Sequence, residues 1–157
     1  MATSINTSST TTAHDSARPQ VDVRGPRFAA WVTTAVLAIV LLTGAWWLLA
    51  AQALVFAIGA ALGPRRSPYG LLFASQIAPR LQPATEREPV APLRFAQTVG
   101  FVFAAVGVLG YATGHPLLGA IATAFALVAA LLNAAFGFCL GCQLYPLIGY
   151  LRRIRSA

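Results

Sequence analysis

Two long apolar stretches without Asp, Glu, Lys or Arg dominate this sequence. The first runs from Phe28 to Leu62 and the second from Phe95 to about Leu140. A single helix over the first stretch would be more than about 50 Å long at 1.5 Å per residue. The hydrocarbon core of a bilayer is only about 30 Å thick. Each stretch therefore predicts two membrane-spanning helices rather than one.

Local turn signals divide both stretches near their middle. Thr43 and Gly44 divide the first, because glycine tolerates turn dihedral angles. The sequence TGHP at residues 113–116 divides the second, because glycine and proline both interrupt helices. The predicted spans are residues 27–43, 45–62, 95–112 and 117–138. The predicted fold is an all-α integral membrane protein, with four transmembrane helices in two hairpins within a single domain over residues 21–157.

Three polar segments flank these spans. Residues 1–20 are rich in Ser and Thr and lack large apolar side chains, which predicts a disordered tail. Residues 63–94 contain six prolines, which favours a loop. Within it, YGLLFASQIA is expected to form a short helix on the membrane surface. Residues 143–155 place Leu and Ile at helical spacing next to arginines, which predicts an interfacial helix.

Charge and composition indicate that the lipid bilayer is the partner of this chain. The chain is 57% hydrophobic and 10% charged, whereas soluble domains have about 25% charged residues. All eleven basic residues are Arg, and none lies within an apolar stretch or in the two tight turns. This distribution predicts no nucleic-acid partner. It predicts a plasma (inner) membrane protein with both termini in the cytoplasm, because cytoplasmic loops carry the positive charge.

The cysteines of the chain, Cys139 and Cys142, form one C-x-x-C element at the predicted cytoplasmic end of the fourth span. Cytoplasmic thiols are kept reduced, which disfavours a structural disulfide and allows a working dithiol. If the span ends at Gly137 and a new helix begins near Cys139, the helix N-terminus favours its thiolate. Burial among neighbouring apolar side chains has the opposite effect on a thiol pKa.

Two other interpretations of the cysteine pair remain open. Free cysteine is often a small, buried packing residue. A zinc site needs four ligands, of which one C-x-x-C supplies two. His14 lies in the tail and His115 in the turn predicted on the opposite side, so metal binding would need a second copy or a partner. We expect no metal and no cofactor.

Few polar side chains lie within the predicted spans. Asn133, Gln97 and Gln52 are expected either to hydrogen-bond between helices or to line a path for a small polar solute. No span contains the charged residue that a proton-coupled pump normally needs. Frequent Gly and Ala permit close helix packing, which favours a tight bundle or a homo-oligomer.

Four segments carry a resemblance to a known family. They are VDVRGPRFAA, LGPRRSPYGLLF, EPVAPLRFAQTVG and LLNAAFGFCLGCQLY. Over residues 21–152 the chain resembles the bacterial family named domain of unknown function 4395, and most closely its actinobacterial members. Similar proteins are small membrane proteins, often encoded beside thioredoxin-like or rhodanese proteins. The resemblance implies that Cys139 and Cys142 exchange electrons or sulfur with such a partner. Some distant members have a further N-terminal cysteine, which this sequence lacks.

The sequence thus supports one leading hypothesis and two alternatives. The leading hypothesis is a cytoplasm-facing dithiol for thiol–disulfide or sulfane-sulfur exchange. Its thioredoxin-like or rhodanese partner would dock on arginines, namely Arg65, Arg66, Arg152, Arg153 and Arg155. The first alternative is a transporter or channel subunit for a small sulfur-containing solute near Asn133. The second is a non-catalytic membrane scaffold. No sequence motif of a hydrolase or a phosphate-binding loop is present.

Overall fold

The computed structural model describes residues 19–155. Its regular elements are β1 (Gln20–Asp22), α1 (Arg24–Thr43), α2 (Trp46–Leu62), α3 (Pro68–Leu72), β2 (Arg87–Pro89), α4 (Val90–Ala112), α5 (Pro116–Phe136) and α6 (Leu140–Arg155). Of the predicted disordered tail, residues 1–18 lie outside the described residues. Gln20, also assigned to that tail, begins β1.

The two predicted helix breaks are present. Gly44 ends α1 in the left-handed region, with φ of 67°, and its N–H donates to the carbonyl of Val40. Gly114 has φ of 77° in the turn between α4 and α5. The helices α1, α4 and α5 are long and apolar enough to cross a membrane, whereas α2 is a shorter apolar helix of 17 residues. The structure thus confirms an all-α chain with helices of membrane-spanning length.

The four long helices form an antiparallel bundle. α4 packs along both α2 and α5, and α1 packs along α5. Its core contains Leu37, Val40, Leu49 and Phe56. Where α4 crosses α5, a Cβ added to Gly110 would lie 2.5 Å from the backbone nitrogen of Gly119. The backbones of the two helices therefore touch, which requires glycine at this crossing.

Large apolar side chains cover the outside of the bundle. Leu42, Leu117 and Phe136 are 86%, 73% and 76% exposed. An apolar surface of this extent is unusual for a monomer in water and compatible with a lipid environment. Trp46 and Trp47 are exposed at the start of α2, beside the Gly44 turn, where an aromatic belt would place them.

The segment between α2 and α4 is more ordered than the loop predicted over residues 63–94. β2 pairs antiparallel with β1, which ties the start of α1 to the start of α4. Residues 90–94 already belong to α4. The predicted short helix is present as α3 followed by a π-helical turn. This segment packs inward against α1, where the centroid of the Phe73 ring lies 5.9 Å from that of Phe28.

Several arginines gather at one end of the bundle, where α1 and α4 begin and α2 and α5 end. We call this the arginine end, and it contains Arg24, Arg27, Arg65, Arg66, Arg87 and Arg94. Arg94, predicted in the loop, lies within α4 and donates to the carbonyls of Ala60 and Ala61 at 2.7 and 2.6 Å. It thereby satisfies carbonyl groups at the negative end of the α2 dipole.

Candidate functional site

The cysteine pair lies where α5 gives way to α6, at the arginine end. α5 ends at Phe136, and Gly137 follows with φ of 68°. The Gly137 N–H donates to the Asn133 carbonyl at 3.0 Å, which closes the end of α5. α6 begins at Leu140. Cys139 therefore stands immediately before the first residue of a new helix, and Cys142 lies in its first turn.

A hydrogen bond network distinguishes the two thiols. Both cysteines are free and half-buried. The backbone N–H of Cys142 donates to Cys139 Sγ at 3.3 Å, so this sulfur fills the position of a helix N-cap acceptor. The pKa of Cys139 is lowered, chiefly because the Cys142 thiol donates a hydrogen bond to it, and this outweighs burial. Donating that bond, together with burial, raises the pKa of Cys142. These contacts favour the thiolate at Cys139 rather than at Cys142.

Two charged residues around the junction of α5 and α6 were not predicted from the sequence as part of the site. The carboxylate of Glu88 on β2 opposes ionisation of both cysteines. Burial raises the pKa of Glu88, and the guanidinium of Arg27 acts in the opposite direction. Arg27 Nη2 lies only 3.4 Å from where a Cβ on Gly137 would be. Within the part of the chain described, no three His, Cys, Asp or Glu side chains are grouped as a metal would require.

Gly141, between the two cysteines, is a buried contact point, whereas Gly137 ends α5. A Cβ on Gly141 would lie 2.5 Å from the Cα of Ala96 in α4. Tyr145 contacts Phe95 with ring centroids 6.2 Å apart. These contacts fix α6, and hence both thiols, against α4.

A cavity of about 270 Å³ opens beside Cys139, between α1, α4, α5 and α6. Asn133, Gln97 and Thr33 border it, and the rest of its wall is largely alkyl and aromatic. Cys142 is not part of the wall. Neither side-chain amide of Asn133 and Gln97 hydrogen-bonds to a described residue. The structure thus brings together Cys139 and two of the three amides singled out in the spans.

Gln52, the third amide, is instead buried and hydrogen-bonded within the bundle. It is 2% exposed, donates to Thr33 Oγ1 at 3.4 Å and accepts from the Tyr69 hydroxyl at 2.7 Å. It does not border the cavity beside Cys139. A polar path through all three amides is therefore not formed.

The arginines predicted to dock a partner are only partly described. Arg65 and Arg66 are exposed in a 3₁₀ turn after α2. Arg65 also borders a second cavity of about 370 Å³, which shares Gln97 with the first. Arg152, Arg153 and Arg155 belong to α6, and their side chains lie outside the part of the chain described.

Comparison with known proteins agrees with the resemblance noted in the sequence. No curated protein and no solved structure shows significant similarity to the chain. The sequence profile of one family, "Domain of unknown function (DUF4395)", matches residues 21–149. The match extends from β1 into α6 and includes both cysteines and the residues around the cavity. The chain therefore belongs to the DUF4395 family.

Proposed function

We propose that this protein is a membrane thiol exchanger in which Cys139 attacks and Cys142 resolves. The observation that carries the proposal is the place of Cys139 Sγ at the start of α6, where it accepts the backbone N–H of Cys142 at 3.3 Å. The lowered pKa of Cys139 agrees with this geometry. The thiolate is the reactive form of cysteine. If the two cysteines were only packing residues, no backbone N–H would need to donate to Cys139 Sγ at the start of a helix.

In thiol–disulfide exchange, the Cys139 thiolate attacks one sulfur of a partner disulfide. A mixed disulfide forms, and the other partner sulfur leaves as a thiolate. Cys142 then gives up its proton and attacks the Cys139 sulfur, which releases the second partner sulfur. The pair becomes a disulfide and the partner a dithiol, so two electrons pass to the partner.

In sulfane-sulfur exchange, Cys139 attacks the outer sulfur of a partner persulfide. The bond between the two partner sulfurs breaks, and the partner cysteine leaves as a thiolate. Cys139 now carries the persulfide, and the transfer has caused no net oxidation of the two proteins. Attack by Cys142 on the inner sulfur of this persulfide would release hydrosulfide and leave the pair oxidised.

The topology we propose has four spans, with the arginine end in the cytoplasm. The support is that the described arginines of the polar segments gather at one end of the bundle, as cytoplasmic positive charge requires. Reporter fusions after residues 44 and 157 should report the outer and the cytoplasmic side, respectively. The reverse result would place the dithiol in an oxidising space.

A thioredoxin-like or rhodanese partner would dock at the arginine end. Capture of a partner in intact cells tests the function directly. In Cys142→Ser the resolving thiol is missing, so a mixed disulfide through Cys139 should accumulate and disappear on reduction. The matched variant Cys139→Ser should capture none. Equal capture by both variants, or capture by neither together with thiols that do not react with maleimide, would refute the proposal.

A further inference from the structure

The cavity beside Cys139 has the composition of a small-ligand site. Its wall is mainly alkyl and aromatic, with Cys139, Asn133, Gln97 and Thr33 as polar members. Binding sites for small molecules are typically apolar with a few placed polar groups. The volume of about 270 Å³ lies near the lower limit for such sites. It suits a single ring system and is too small for a folded partner's disulfide loop.

The polar groups define what the ligand must offer. The amides of Asn133 and Gln97 have no hydrogen-bond partner among the described residues, and no polar side-chain atom there is both buried and unpaired. Both amides therefore keep accessible atoms, and both border the cavity. A ligand with carbonyl oxygens would accept hydrogen bonds from their N–H groups within a mainly apolar wall.

The third requirement comes from the thiol. Cys139 borders the cavity and Cys142 does not, so a bound ring would contact the attacking sulfur of a pair able to give up two electrons. A quinone has all three required properties: an apolar body, carbonyl oxygens that accept hydrogen bonds, and the ability to accept two electrons. We propose that this cavity binds a membrane quinone, which oxidises the Cys139–Cys142 dithiol. This inference rests on the proposed dithiol function. It implies that the exchange with the partner runs in reverse, so that a partner dithiol reduces the Cys139–Cys142 disulfide which the quinone has formed.

The step balances with the two thiols and one quinone. The Cys139 thiolate adds to a ring carbon, forming a carbon–sulfur bond, and the ring takes the negative charge. The Cys142 sulfur attacks Cys139 and a sulfur–sulfur bond forms as the carbon–sulfur bond breaks. The ring leaves with that electron pair and collects one proton from Cys142 and one from water. The products are a disulfide and a hydroquinone.

The test uses the reduced, full chain in lipid nanodiscs without oxygen. Decylubiquinone is added, because its fully substituted ring reacts poorly with ordinary thiols. The expected result is one hydroquinone per chain, a disulfide between Cys139 and Cys142, and a rate well above that of the detergent-unfolded chain. An aromatic disulfide, dithiobis(nitrobenzoate), is tested on the same sample. Exchange with the aromatic disulfide but not the quinone overturns the quinone proposal alone, whereas reaction with neither overturns the dithiol function too.

Variants of the amides test the binding site. Asn133→Leu and Gln97→Leu should each lower the quinone rate, relative to the aromatic disulfide rate, by about tenfold, as expected for one lost hydrogen bond. Gln76→Leu makes the same change at an exposed position outside the cavity and should keep the ratio of wild type. Equal ratios in all three variants would overturn the assignment of this cavity.

Discussion

Replacement of Gly141 by Ala tests the contact that positions the thiol pair. A Cβ at this residue would lie 2.5 Å from the Cα and 2.6 Å from the Cβ of Ala96. Ordinary van der Waals contact begins near 3.4 Å, so α6 must withdraw from α4 by about 0.9 Å. Overpacking of this kind costs about 1–3 kcal/mol. For a chain of this size the melting temperature should fall by roughly 2–12 °C.

The displacement should also change the chemistry. Cys139 is joined to α5 through Gly137, whereas Cys142 moves with α6, so the 3.3 Å contact between Cys139 Sγ and the Cys142 N–H should lengthen. The pKa of Cys139 then rises and its alkylation at neutral pH slows. Both effects are measured in detergent, by circular dichroism on heating and by maleimide labelling.

A matched glycine provides the control. Gly25 lies in α1, and a Cβ there would meet only the Phe73 side chain at 3.4 Å. Gly25→Ala should therefore not destabilise the fold, since alanine favours a helix. Adding Ala96→Gly to Gly141→Ala should restore only part of the stability, because the Ala96 backbone remains in the way. Wild-type stability and alkylation in Gly141→Ala would refute the proposed packing of α6 on α4.

Three further predictions concern ionisation and packing. Because the folded-state pKa of Cys139 is lowered, its alkylation should reach half its maximal rate at a lower pH than in the unfolded chain; coincident pH profiles would contradict this. Tyr69→Phe leaves the buried Gln52 carbonyl without its donor and should lower the free energy of unfolding by about 1–3 kcal/mol. The exposed Tyr145→Phe should lower it by less, and equal losses would argue against the buried bond. Arg94→Met removes two hydrogen bonds to the end of α2 and should cost about 1 kcal/mol, seen as faster amide exchange in the last turn of α2; unchanged exchange would contradict that role.

The helices and their breaks could be predicted because their signals are local. An uncharged run of fixed length and a Gly44 or TGHP interruption are enough to place α1, α2, α4 and α5 within a few residues. The break between α5 and α6 was predicted conditionally from Gly137, and the structure has it. Because of this break, Cys139 lies immediately before the first residue of a new helix.

The rest of the site depends on contacts between residues distant in sequence. β1 and β2 have three residues each and pair across more than sixty positions, so no periodicity reveals them. That pairing brings Glu88 near the thiols, and the start of α1 brings Arg27 near Gly137. The role of Gly141 follows from Ala96, a residue of another helix. Likewise, only the packing of four helices shows that Asn133 and Gln97 share a cavity with Cys139.

The most direct test of the account is a redox titration of the purified wild-type chain in glutathione buffers of graded ratio. Differential alkylation and mass spectrometry would follow each cysteine separately. The account predicts that Cys139 and Cys142 are oxidised together, in one two-electron transition that yields an internal disulfide. Two thiols that stay reduced at every ratio, or that pair only with glutathione and never with each other, would contradict the central claim of a working dithiol.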